Sequence, residues 1–273
     1  MPSEGKVPAG DTATYLREHP VFDLGHMAAK LGLSGGSRAA HERAKYHAGK
    51  GRLKRVARGI YAVVPPGVVS KAFIPDKFLV AHAARPGGVF CYHSALELLG
   101  VAQSAWTDCT VFASNRRTPV AFGQTTIRFL IPPASLKAVP EGFAESVVHR
   151  EGARLQATGP ERTLVEGFRR LQHVGGLEEL WASAAAFGVL DLKLVVDVLK
   201  RYDEQLLWGA TGWFLEEHRE RFFVSDEVLD ELYQRRPRAP RYLVRGARGG
   251  TLNARWNLIL PPSMISGWEG QGG

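Results

Sequence analysis

The stretch GRLKRVARGIYAVVPP, residues 51–66, sets Arg52, Lys54, Arg55 and Arg58 within eight residues, then turns apolar until Pro65 and Pro66 stop it. RLKRV and IYAVV are β-prone runs on either side of ARG. That connection predicts a hairpin in which Gly59 takes a positive φ that other residues resist. The alternation is imperfect, because Leu53 and Val56 fall on opposite faces of a regular strand. One or two lysines or arginines are enough to discourage pairing at an exposed strand edge, and this hairpin carries four. The excess predicts contacts with phosphates, with Ile60, Tyr61 and Val63 anchoring the hairpin beneath.

Working outward toward the N-terminus, DTATYLREHP (11–20) opens on the capping residue Asp11 and closes at Pro20. In DLGHMAAKLG (23–32), Leu24, Met27 and Leu31 recur on one helical face, with Asp23 as cap and Gly32 in the left-handed position past the end. LSGGS then turns the chain. A third helix is predicted over about Arg38 to Ala48, capped by Ser37 or Ser34 and closed by Gly49. On it Arg38, His41 and Lys45 share one stripe, while Ala40 and Ala44 lie on a different face suited to close packing. Helix, glycine turn, helix and basic hairpin follow the order of a winged helix-turn-helix. In such a domain Arg38 and His41 sit near base edges in the first half of the recognition helix. Lys45, Lys50, Arg52, Lys54, Arg55 and Arg58 then lie near the backbone of double-stranded DNA. A homodimer on repeated half-sites is one arrangement this geometry allows.

The charge is distributed in blocks. The 273-residue chain has a formal net charge of +8, and Lys30 to Arg58 alone holds nine cations against Glu42, also +8. A second run, Arg235, Arg236, Arg238, Arg241, Arg245, Arg248 and Arg255, contains no acid and adds +7, which leaves −7 for the rest. Basic blocks of this kind favour polyanionic partners. For the second block three readings stay open: a further nucleic-acid contact, a docking surface for an acidic protein, or a solvated tail and strand. Arg255 beside Trp256 is placed to stack or simply to pack.

Hydrophobic residues make up 45% of the chain, enough for packed globular domains. Beyond a PPGVVSKAFIPDK boundary, GVFCYH, DCTVFAS, TTIRFLI, SVVHRE and ARLQAT read as strands, and DKFLVAHAA and SALELLG as helices, the latter capped by Ser94. A helical region follows, starting at Pro160, and RYLVR and ARWNLILPP are expected to pair as a terminal hairpin around GARGG. Strands first and helices after predict an α+β fold. The expected organisation is a flexible terminus over 1–10, a winged helix-turn-helix over 11–66, a linker over 67–76, a larger mixed domain over 77–261 and a flexible end over 262–273.

The only cysteines, Cys91 and Cys109, sit in apolar surroundings away from any metal-ligand spacing. No signal-like core and no long apolar span is present, so a cytosolic location without membrane contact is expected. Glu97, Asp108 and Glu145 lie near predicted strand ends but form no carboxylate and lysine constellation for a nuclease, and His93 next to Ser94 is no catalytic pair in an extended segment. No phosphate loop or zinc-protease motif occurs. The expectation is a protein without catalytic residues, cofactor or metal; a nuclease targeted by the winged helix, or an interaction module docking an acidic partner, are the alternatives.

GRLKRVARGIYAV resembles the wing segment of AbiEi-type antitoxins, the abortive-infection family of type IV toxin–antitoxin systems. YHSALELLGV, TGPERTLVEGF, VGGLEELWASA and ARWNLILP resemble successive landmarks of that family's C-terminal domain, over roughly residues 12 to 261. The resemblance implies a winged helix that binds and represses its own operator region, joined to an α/β domain that opposes a nucleotidyltransferase-like toxin. It carries the DNA role to Ser37, Arg38, His41, Lys45, Arg52, Lys54, Arg55 and Arg58.

Overall fold

The computed structural model describes residues 11–115, 118–136 and 139–264. The termini expected to be flexible over 1–10 and 265–273 lie outside these residues, whereas Pro262–Met264 forms a 3-10 turn with Met264 buried. Among the described residues the fold is mixed α+β, with eleven α-helices and three sheets. No helix there is long and apolar enough to cross a membrane.

The chain clusters into two compact units, each discontinuous in sequence, where the sequence predicts consecutive domains. The first contains residues 1–89, 107–131 and 147–156. It begins with α1 (Thr12–Glu18), β1 (Val21–Asp23), α2 (Leu24–Lys30) and α3 (Gly36–Gly49). The hairpin β2 (Leu53–Ala57) and β3 (Ile60–Val63) follows, then α4 (Lys77–Ala84). Asp23 caps α2 by accepting from the N–H groups of Gly25 and His26, and Gly32 takes φ +57 past its end, as the side-chain chemistry of DLGHMAAKLG directs.

The β1 strand is an addition to the sequence reading. Its three residues pair antiparallel with β3, giving a sheet in the order β1-β3-β2. With a partner on each side, β3 buries Ile60, Tyr61 and Ala62 in succession. Phe22 stacks on Tyr61 at 6.2 Å between ring centroids. These rings join Met27, Leu31, Ala40, Ala44 and Leu53 in one core. Burying a side chain the size of Met27 or Leu31 contributes about 1.5–3 kcal/mol. The broken alternation of β2 is a bulge: the register shifts between Arg55 and Ala57, with Val56 as the extra residue.

After β4 (Val89–Phe90) and α5 (His93–Leu98), the first unit continues in β5 (Cys109–Phe112), β6 (Val120–Phe122) and β7 (Thr125–Leu130). The central β7 is parallel to β5 and antiparallel to β6. Strands β8 (Glu145–Arg150) and β9 (Ala153–Thr158) follow.

The second unit contains residues 90–106, 132–146 and 157–273. Its helices are α5, α6 (Pro160–Arg169), α7 (Leu177–Ala185), α8 (Leu192–Tyr202), α9 (Gln205–Glu217), α10 (Arg219–Phe222) and α11 (Asp226–Gln234). Pro160 stands at the start of α6, where its missing N–H costs nothing. Inside this unit Glu166 is fully buried, and one of its oxygens accepts from Arg162 Nε at 2.7 Å and from the Tyr202 hydroxyl at 2.6 Å.

The chain ends in β10 (Arg241–Tyr242), β11 (Thr251–Asn253) and β12 (Leu258–Leu260), ordered β10-β12-β11. The expected hairpin between RYLVR and ARWNLILPP is therefore incorrect. β10 runs parallel to β12, and the antiparallel partner of β12 is β11. Two features reverse the chain between β11 and β12: Asn257 adopts φ +52, and Trp256 is buried with its indole N–H donating to Glu216 at 2.6 Å. Gly212 on α9 leaves room for the Trp256 ring, since a Cβ there would collide with it.

Candidate nucleic-acid interface

The cationic stripe on α3 is built from both ends of the helix. At its start the expected serine cap is absent, because α3 begins at Gly36 with Gly35 as N-cap and neither Ser34 nor Ser37 caps it. The backbone closes the turn alone: the Gly36 N–H donates to Leu33 O at 2.8 Å, with Gly36 at φ +55. A Cβ on Gly35 would lie 2.9 Å from that of Ala39, so the close approach at the N-cap favours glycine. Ser37 is consequently an exposed residue of the first turn.

The helix end is also shifted from expectation. Gly49 is its last residue, and Gly51, at φ +72, takes the left-handed position instead. Gly51 N donates to Ala48 O at 2.9 Å and Arg52 N to His47 O at 3.0 Å, the paired bonds of a Schellman motif. This closure leads directly from α3 into β2, so the helix stripe and the hairpin cations are joined by a defined turn.

Ala40 and Ala44 are fully buried, and Arg38, His41 and Lys45 are exposed on the other side of the helix. Lys50, Arg52, Arg55 and Arg58 continue the exposed series. Among the described residues, no hydrogen bond or ion pair engages the side chains of these seven. Lys54 departs from the expected phosphate role: its Nζ donates to Phe73 O at 2.6 Å and Lys71 O at 3.1 Å. It clips a turn onto β2, the two charge-assisted bonds offsetting the rotamer entropy lost in holding the side chain. Gly59 takes φ +77 at the hairpin turn.

Tyr46 is absent from the sequence-derived set although it is 62% exposed beside Lys45. The signal for it is weak, since an aromatic among alanines reads as core. His47 faces the other way, and its pKa is lowered by burial first, then by Arg52 and Arg43.

The C-terminal arginines divide into two groups. Arg235 pairs with Glu231 at 2.7 Å and lies 4.7 Å over the Trp208 ring. Arg236 donates to Tyr233 O at 2.8 Å and lies 3.5 Å over the ring of Tyr233. Arg255 pairs with Glu216 at 2.7 Å and flanks Trp256. Arg238, Arg241, Arg245 and Arg248 are exposed, and no hydrogen bond or ion pair among the described residues engages their side chains.

The acids weighed for catalysis are occupied separately. Asp108 pairs with Arg128 at 3.0 Å, and Glu145 with Arg162 at 3.3 Å. No group of histidine, cysteine and carboxylate side chains among the described residues could hold a metal ion. Ser94 does not cap α5. The N-cap is Tyr92, at φ 56, which starts the helix at His93 and leaves Ser94 inside it. His93 itself is buried, stacked on Trp106 at 4.2 Å, with Nε2 3.2 Å from Ser104 Oγ and Nδ1 3.7 Å from Glu97. Among the described residues, the backbone donors beside this outline of a hydroxyl, an imidazole and a carboxylate are already taken. The N–H groups of Gln103 and Ser104 both point at Glu179, at 2.9 and 3.3 Å. Burial acts to raise the Glu179 pKa, but these bonds and those from the Ser104 and Ser183 hydroxyls outweigh it and lower the pKa. A carboxylate thus sits where acyl transfer requires free donors.

Among solved structures, the chain is similar to the RV2827C protein from Mycobacterium tuberculosis, with a TM-score of 0.60 at 16% sequence identity. The match covers 93% of this chain and 92% of that one. At this identity the likeness shows a common fold alone. No family model matches the chain, and neither does any curated protein.

Proposed function

We propose that residues 11–66 form a winged helix-turn-helix that binds the operator region of its own operon as a repressor. The full chain then acts as the antitoxin of a type IV, abortive-infection toxin–antitoxin pair opposing a nucleotidyltransferase-like toxin. The observation that carries the DNA reading is the exposed series Arg38, His41, Lys45, Lys50, Arg52, Arg55 and Arg58, whose side chains have no hydrogen bond or ion pair among the described residues, set opposite the packed Ala40 and Ala44 face. A cation without an internal partner is free to displace counterions from phosphates. Arg38 and His41 occupy the first half of α3, the part that approaches base edges when such a helix enters a major groove. The antitoxin half of the proposal is supported by the ordered likeness of YHSALELLGV, TGPERTLVEGF, VGGLEELWASA and ARWNLILP to the AbiEi landmarks.

Gel shift on the DNA upstream of the gene tests the first half. Arg55→Ala with Arg58→Ala is expected to weaken operator and competitor duplex alike and to lower the salt slope by about 0.9 per lost phosphate contact. Arg38→Ala is expected to relax discrimination between the two by about 1–3 kcal/mol. Unchanged affinity and slope in both variants would overturn the DNA reading. Co-expression with the adjacent toxin gene, scored for growth, tests the second half. Failure of the full chain to restore growth would remove the antitoxin assignment and leave the repressor intact.

A further inference from the structure

The C-terminal sheet presents a face that the proposed operator contact does not use. Tyr242 on β10 and Leu252 on β11 both register with Ile259 on β12, so the three side chains form one cross-strand stripe. Tyr242 is 45% and Leu252 48% exposed, whereas Leu258 and Leu260, which alternate with Ile259, are buried on the other face. Unpaired arginines surround the stripe in the chain. Arg238 and Arg241 precede Tyr242, and Arg245 and Arg248 follow it in a turn whose Gly246, Gly249 and Gly250 all take positive φ. Every cation from residue 234 to 256 is an arginine, and no acid interrupts them.

We infer that this face binds single-stranded nucleic acid. The stripe supplies apolar and aromatic surface for base faces, and Arg238, Arg245 and Arg248, which lie outside the strands, supply planar donors for phosphates. A duplex buries its base faces in stacking and cannot use Tyr242, Ile259 and Leu252. A single strand can occupy stripe and arginines together.

Fluorescence anisotropy of the full chain against a 20-mer of oligouridylate, a 20-mer of oligothymidylate and a 20-base-pair duplex tests this. Arg245→Ala with Arg248→Ala is expected to weaken oligouridylate binding about tenfold at 0.1 M salt and to lower its salt slope by about 1.4. Tyr242→Ala is expected to weaken it at least about fivefold with the slope unchanged, and Tyr242→Phe to retain affinity. All these positions are exposed, so unfolding midpoints should not move. Arg55→Ala with Arg58→Ala should weaken duplex binding only, which separates failure of this inference from failure of the operator reading. Tighter binding of oligouridylate points to contact with the 2′-hydroxyl, equal binding to bases and phosphates, and both support the inference. It is overturned by unchanged single-strand affinity in the C-terminal variants, or by an equal loss on duplex. Tighter binding of a glutamate-rich 20-mer peptide than of either oligonucleotide would also overturn it, identifying an acidic protein surface instead.

Discussion

Lys30 to Arg58 and Gln234 to Trp256 carry nearly equal formal charge, +8 and +7, yet the fold treats them differently. In the first segment most cations stand on an exposed helix stripe and hairpin with no internal partner. In the second, Arg235, Arg236 and Arg255 are held against Trp208, Tyr233, Glu231 and Glu216, and no hydrogen bond or ion pair among the described residues engages the side chains of the other four. The difference teaches that the charge available to a partner is set by what neighbouring elements offer each side chain. Tyr233 and Trp256 project beside the second segment's arginines, whereas the residues that α3 itself buries are alanines. Small residues let a helix pack closely but offer a guanidinium no ring to lie on.

The most severe test of this contrast is Trp256→Ala. The ring is fully buried and its N–H is bonded to Glu216, so truncation leaves a cavity and an unpaired carboxylate oxygen. A loss of about 3–5 kcal/mol in urea unfolding is expected. A loss below about 1 kcal/mol would mean that the second segment is an appendage and not part of its unit's core.

Lys54 tests the contrast from within the first segment, where its ammonium is held by two carbonyls as Arg43 is held by the Thr12 hydroxyl. Lys54→Met keeps the aliphatic stem and removes the bonds to Lys71 O and Phe73 O. Stability is expected to fall by about 1 kcal/mol, with the duplex salt slope unchanged. A lowered slope at unchanged stability would return Lys54 to the phosphate-contacting set alongside Arg55 and Arg58.

Much of this was legible in the sequence wherever local chemistry decided the outcome. Asp23 and Gly32 bracket α2, Pro160 opens α6, and Gly59 turns the hairpin, because each acts through its own backbone or nearest neighbours. Even the clash between Leu53 and Val56 in the strand pattern was a true signal of the bulge. What stayed hidden depended on distant partners. Lys54 binds carbonyls 17 and 19 residues away, β1 exists only because β3 lies beside it, and β10 pairs in parallel across an intervening turn. The start of α3 was misplaced for a third reason: a backbone turn through Gly36 at positive φ leads into the helix, and neither Ser34 nor Ser37 caps it.

The smallest expected effect comes from His47, where the unpaired charge of the first segment acts on the fold itself. Its Nδ1 is buried without a partner among the described residues, and its pKa is lowered by burial first, then by Arg52 and Arg43. A histidine whose folded pKa lies below its unfolded value of about 6.5 takes up its proton first in the unfolded chain. Its stabilising contribution is therefore complete above about pH 6.5 and is lost as pH falls through the folded pKa. His19, His82 and His218 are lowered in the same direction, also by burial first, so the whole chain should lose stability on acidification. The difference between wild type and His47→Gln isolates one site: urea unfolding at pH 7.5 and 5.5 should show a smaller pH-dependent loss in the variant. Raising the salt to 0.5 M screens Arg43 and Arg52 but leaves burial unchanged, so the difference should shrink without vanishing. Complete loss of the difference in salt would make the cations the larger cause, and with it the electrostatic strain of an unpaired surface. No change in salt would mean that the first segment's charge is felt by its partner alone.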